Sequence, residues 1–177
     1  MHILVVGGGM GGTILANNLA RRLAGELEQG SSKITMLSAS DKHMYQPGLL
    51  YVAVGKMSTS ELYRDQKSLL EPSIDFHVDP VEKFDLDNNS VTTKSGKKIS
   101  YDILCIATGS RGHAEGIPGL AENSCQFYTE ADAVAMYKKL SKFEGGKVVV
   151  ATGVPHKCPM SPLAVSYTHL TLPTTRC

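Results

Sequence analysis

The amino-acid sequence predicts an α/β fold: a parallel sheet with helix packed on it, an inserted antiparallel β-meander, and the start of a second domain of the same type. Three observations carry this. Residues 3–6, 103–107 and 147–151 are short apolar runs, the pattern of strands buried on both faces of a parallel sheet. The first runs into a glycine-rich turn and then a segment with helical apolar spacing. The stretch 74–99 alternates weakly and carries turn signals at Asp87-Asn88-Asn89 and Ser95-Gly96, as a small hairpin or meander does.

Taken in order, residues 3–6 form the first strand and Gly7-Gly8-Gly9-Met10-Gly11-Gly12 the turn. A helix follows from Thr13 to about Glu28, with Ile14, Leu15, Leu19, Leu23 and Leu27 on one face; Gly30-Ser31-Ser32 stops it. Residues 33–37 are the second strand, which completes a βαβ unit. Residues 41–55 read as loop, and Ser58-Thr59-Ser60-Glu61 can cap a short helix that Glu71-Pro72 ends. After the meander comes the strand at 103–107, then a connection over 111–127. Thr129 caps a helix from Glu130 to about Phe143, and 147–151 is one more buried strand.

Composition narrows the function classes. The 177 residues are 42% hydrophobic and 20% charged, which fills a core and excludes a disordered polymer. A net charge of +1 leaves no surplus cation for phosphate backbones, so no nucleic-acid partner is expected. No apolar run approaches the roughly 18 residues of a membrane span. The chain goes from Met1-His2 straight into the first strand without a leader pattern, so a cytoplasmic location is expected. Cys105, Cys125, Cys158 and Cys177 are too scattered for a secreted disulfide scaffold. No metal site is expected.

Gly7, Gly9 and Gly12 fit G-x-G-x-x-G between a strand and a helix. The first glycine makes the tight turn, the second lets backbone approach a pyrophosphate, and the third lets helix and strand pack closely. The helix N-terminus adds partial positive charge. This is a dinucleotide site on a Rossmann-like domain. The acid that binds ribose hydroxyls in NAD enzymes is absent: Ser38 ends the second strand, and the nearest acid is Asp41. Either the serine hydroxyl or that carboxylate can serve, and the departure counts against a simple NAD dehydrogenase.

Tyr101-Asp102-Ile103-Leu104-Cys105-Ile106-Ala107-Thr108-Gly109 resembles the Y-D-x-L-x-I-A-T-G element of two-dinucleotide-binding flavoproteins. In that resemblance Thr108 and Gly109 lie next to FAD. The loop His43-Met44-Tyr45-Gln46-Pro47-Gly48 then supplies Gln46, Pro47 and Gly48 toward the flavin ring, with His43 a surface or hydrogen-bonding histidine rather than a base. Val81 contributes backbone at the adenine end. Cys105, inside the strand, reads as a small core residue.

At 153–159 a pyridine-nucleotide domain would place a second glycine-rich turn. The chain instead has Gly153-Val154-Pro155-His156-Lys157-Cys158-Pro159, where two prolines remove backbone donors. Neighbouring cations favour the thiolate of Cys158. The segment Gly-Val-Pro-His-Lys-Cys-Pro-Met-Ser-Pro-Leu-Ala resembles the cysteine segment of sulfide:quinone oxidoreductases and flavocytochrome c sulfide dehydrogenases. The resemblance covers residues 2–164, about the N-terminal 40% of a typical member.

The resemblance implies that Cys158 is one half of a redox pair over the flavin, its partner lying in a C-terminal half. Sulfide opens the sulfur bridge, a persulfide forms, a thiolate passes two electrons to FAD, and FAD reduces quinone. It further implies that Cys125 matches an additional cysteine of some members, against the alternative of an ordinary loop thiol. The donor is then sulfide or a related reduced sulfur compound and the acceptor quinone. Membrane contact comes only through the C-terminal half, at the inner face. The expected division is residues 1–124 as an incomplete FAD-binding domain, 125–164 as the start of a second Rossmann-like domain, and 165–177 as a non-native tail that resembles a translated sequencing adapter. Such a fragment is expected to be inactive by itself. The alternatives are a type II NADH:quinone dehydrogenase-like flavoprotein and a non-catalytic FAD-binding module.

Overall fold

The computed structural model describes residues 1–151, so Cys158, the turn around it and the tail at 165–177 lie outside the described residues. The chain divides into two compact units. The first comprises Met1–Tyr45 and Tyr63–Arg111; the second comprises Gln46–Leu62 and the chain from Gly112.

In the first unit, β1 (His2–Val6) leads into α1 (Met10–Arg22), α2 (Ala24–Glu28) and β2 (Lys33–Ser38). The single helix expected over 13–28 is two: it begins within the glycine-rich turn and breaks at Leu23, whose φ of −103° and ψ of 17° leave the helical region. Part of the expected loop is a short antiparallel pair, β3 (Lys42–Met44) with Tyr63–Asp65. The second unit contributes the intervening α3 (Leu49–Ala53), again in place of loop. With Tyr63–Asp65 as β4, the helix expected after Ser58 is reduced to single 3-10 turns at Thr59–Leu62 and Lys67–Leu69. The Ser58 hydroxyl does donate to Glu61, at 2.7 Å, but the β3 pairing draws the next residues into extended backbone.

β5 (Ile74–Val78) was expected in the meander and instead joins the parallel sheet beside β2. The meander proper is β6 (Val81–Asp85), β7 (Ser90–Thr93) and β8 (Lys98–Ser100). β9 (Ile103–Ile106) completes a four-stranded parallel sheet of order β5-β2-β1-β9. Asp102 explains the acid of the Tyr-Asp pair structurally: its carboxylate accepts from the His2 N–H while its own N–H donates to the His2 carbonyl, fastening β9 to β1.

The two-faced burial read from the apolar runs is present in β1 but not at 103–107, where β9 lies at the edge of the described sheet with Ile103 and Ile106 exposed. Ile3 and Val5 face Ala16, Ala20, Ile34 and Met36 on the helix side, while Leu4 and Val6 face Val91, Ile99 and Tyr101 of the meander side. Burying a side chain of this size contributes roughly 1.5–3 kcal/mol, so this double core fixes the carboxyl end of the sheet firmly.

In the second unit, α4 (Leu120–Asn123) precedes α5 (Glu130–Leu140), which packs on α3. The Thr129 cap is a capping box with Asp132. Gly55, at φ +71°, lies against the Tyr137 ring, leaving no room for a side chain. The strand expected at 147–151 is not formed: Val148, Val149 and Val150 are exposed, and among the described residues no strand pairs with them. An apolar run becomes a strand only when another backbone completes its hydrogen bonds.

Candidate functional site

The site is built where the parallel strands end. Gly7 takes φ +116°, its N–H donates to the Leu37 carbonyl at 2.8 Å, and a Cβ there would fall against the Ala107 carbonyl. A Cβ at Gly12 would meet the Gly7 carbonyl. These two glycines are therefore required by the turn's own packing. Gly9 is different, since a Cβ on it would meet nothing within 4 Å. It caps α1 in extended conformation without any side-chain capping bond, and α1 has no acidic residue in its first turn. Helix geometry leaves the first N–H groups of α1 without intrahelical partners, and the positive end of the helix dipole is uncompensated. Such an opening takes an anion, and the open approach at Gly9 fits the pyrophosphate of a dinucleotide.

Ala107 brings the Thr108-Gly109 turn directly beside Gly7, with Gly109 at φ +79° and Thr108 exposed. Ser38 is buried under the turn: a Cβ on Gly8 would sit 2.5 Å from its Oγ, which accepts from the Ser40 N–H at 3.2 Å. The structure thus gathers Gly7, Gly9, Gly12, Ser38, Thr108 and Gly109 at one end of the sheet. Val81 begins β6, half-buried against the meander-side core. Gln46 and Pro47 open the second unit in a 3-10 turn, and Cys125 is exposed in that unit. Cys105 is half-buried against the helix-side core, where partial burial pushes its thiol above the usual range.

Beneath the turn lies a polar group that sequence reasoning missed. Gln66 is fully buried; its Nε2 donates to Thr13 Oγ1 at 2.9 Å and its Oε1 lies 3.0 Å from His43 Nδ1. His43 Nδ1 is also 3.1 Å from the Gly8 carbonyl, and the Thr13 hydroxyl donates to that carbonyl at 3.3 Å. His43 is accordingly a hydrogen-bonding histidine, as expected, but one tied to the glycine turn. Only the pairing of β3 with β4 brings Gln66 here, so no local pattern signals it.

Two clefts of the first unit lie on the meander side. One of about 340 Å³ and another of about 230 Å³ share His77, Lys97 and Ile99. The smaller holds Asp75, paired with Lys33 at 2.7 Å and His77 at 2.9 Å. Partial burial pushes the Asp75 carboxyl up, but the hydrogen bonds and charges of Lys33 and His77 outweigh it and hold it below the usual range. These internally paired charges make a structural groove, apart from the glycine turn.

Residues 1–153 match the family described as pyridine nucleotide-disulphide oxidoreductase. The chain belongs to that family. Its relatives include the mitochondrial sulfide:quinone oxidoreductase of Mus musculus, 30% identical over 94% of this chain and 37% of that protein. The sulfide-quinone reductase of Aquifex aeolicus is 37% identical over 84% of this chain and 34% of its own length. The crystal structure of the Aquifex aeolicus sulfide:quinone oxidoreductase superposes with a TM-score of 0.66 at 33% identity, over 80% of this chain and 32% of that one. An Arabidopsis thaliana alternative NAD(P)H-ubiquinone oxidoreductase is 27% identical over 81% of this chain and 30% of its own length. The chain thus spans about a third of the length of these relatives. It is an oxidoreductase-family flavoprotein sequence with a Rossmann-like FAD-binding fold, and it resembles the sulfide:quinone oxidoreductases. The open, uncapped start of α1 fits that cofactor.

Proposed function

We propose that this chain is the FAD-binding part of an enzyme that oxidises sulfide, or a related reduced sulfur compound, and reduces quinone. The cofactor part of the reading is carried by Gly9, whose bare Cα faces open space at an uncapped helix start while Gly7 and Gly12 are explained by internal packing. The sulfide and quinone part is supported by the similarity to sulfide:quinone oxidoreductases. In this reading the N–H groups at the start of α1 hold the pyrophosphate, and the Thr108-Gly109 turn borders the cofactor. Ser38 or Asp41 meets the ribose, Val81 lies at the adenine end, and Gln46 and Pro47 belong to the flavin side. A bound flavin supplies the two-electron acceptor. Cys158, flanked by Lys157 and Pro159, is the thiolate that delivers electrons from sulfur, and Cys125 an accessory cysteine. The division into residues 1–124, 125–164 and a non-native 165–177 belongs to the same proposal, as does membrane contact through a C-terminal half. Among the described residues no helix is long and apolar enough to cross a membrane.

The second reading, an NADH:quinone dehydrogenase, is favoured by the Arabidopsis relative. Against it stand Pro155 and Pro159, where a nicotinamide nucleotide would need backbone donors. The deciding variant is Cys158→Ser in the longer flavoenzyme that carries this sequence. It should keep its flavin absorbance and lose sulfide-driven flavin bleaching by at least a hundredfold in rate. Bleaching at the wild-type rate would remove Cys158 from the mechanism.

A further inference from the structure

We infer that Gln66 is a positioning residue for the dinucleotide, acting through Thr13 and His43 on the orientation of a single peptide plane. The inference rests on the FAD-binding reading above. In a trans peptide the carbonyl and the following N–H point in opposite directions. Whatever holds the Gly8 carbonyl inward therefore aims the Gly9 N–H outward, toward the open start of α1. With glycine on both sides this plane has little intrinsic preference for one orientation, and it is the plane the buried group grips.

The polarity of the grip is set by Gln66. Its amide NH₂ donates to Thr13 Oγ1, so the Thr13 hydroxyl proton is left for the Gly8 carbonyl. Its Oε1 and the Gly8 carbonyl are both acceptors facing His43 Nδ1, which selects the tautomer protonated at that nitrogen. The backbone N–H of Gln66 donates to the Asp41 carbonyl at 2.7 Å, anchoring the residue to the loop after β2. One fully buried side chain thus sets the donor direction of two groups that converge on the same carbonyl.

The test uses the 177-residue chain and Gln66→Met, which keeps length and bulk while removing both hydrogen-bonding groups. Thr13→Val and the double variant accompany it, with Val91→Ala in the meander-side core as a control for loss of stability. Amide NMR reads the Gly8–Gly9 plane directly, and FAD titration followed by flavin fluorescence reads affinity. Gln66→Met and Thr13→Val should each broaden or split the Gly9 amide signal and weaken FAD at least tenfold. The double variant should be no worse than the more severe single one, and Val91→Ala should change neither reading. A Gly9 signal and FAD affinity equal to wild type in Gln66→Met would overturn the inference. So would an equal loss of affinity in Val91→Ala at a matched drop in melting temperature. Should Gln66→Met fail to fold, Thr13→Val decides by the same criteria. If this chain takes up no FAD, the same variants are titrated in the longer flavoenzyme that carries this sequence. Failure of wild type to bind FAD there would sink the FAD reading, while the Gly9 signal still decides whether Gln66 orients the plane.

Discussion

Gly7, Gly9 and Gly12 look equivalent in a motif but do different work. Gly12 meets the Gly7 carbonyl, so Gly12→Ala overpacks backbone against backbone and should cost about 1–3 kcal/mol of stability. Gly9 has open space before it, so Gly9→Ala should cost no more than about 1 kcal/mol through poorer capping. It should nevertheless weaken FAD by at least tenfold. Thermal melts and flavin titration of the two variants separate these effects; equal losses of stability would contradict the division of roles. The residues of the turn were legible because their spacing encodes backbone geometry directly. Ser38 was legible as the residue at the end of β2, though not its burial against Gly8. Gln66 and Thr13 were not legible, because their role depends on a pairing between β3 and β4 that no local pattern announces.

Among the elements, those defined by their own residues were read most closely. The buried strands β1 and β2, the half-exposed edge strand β9 and the capped helix α5 follow from apolar runs and from the Thr129–Asp132 box. Elements whose identity depends on a neighbour were misread. β5 alternates like a meander strand yet pairs parallel with β2, since Ile74 and Phe76 pack into the helix-side core. The valines at 148–150 form no strand because no described strand completes their hydrogen bonds. The polar side of β5 gives a pH prediction. Asp75 is held below the usual carboxylate range, so its pairing with Lys33 and His77 stabilises the fold above an ordinary carboxylate pKa of about 3.9 and is lost as pH falls through the lowered value. Wild type should melt above Asp75→Asn at pH 6, with the gap closing below about pH 4. A gap that widens toward acid would contradict this assignment.

Across the whole molecule, the first unit is a sheet whose carboxyl end gathers Gly7, Gly9, Gly12, Ser38, Thr108 and Gly109. Its two-sided core holds that end in place, and the uncapped α1 supplies the charge complementarity. The chain covers about a third of its relatives, and the proposed reading assigns the sulfur chemistry to Cys158, outside the described residues. What distinguishes the sulfur-oxidising reading from its nicotinamide-using cousins is therefore the donor that reduces the flavin. The most direct measurement is an anaerobic titration of the flavin-loaded longer enzyme, following the oxidised-flavin absorbance with sulfide and, separately, with NADH. Sulfide should bleach the flavin at about one two-electron equivalent while NADH leaves it oxidised; bleaching by NADH with sulfide inert would contradict the account.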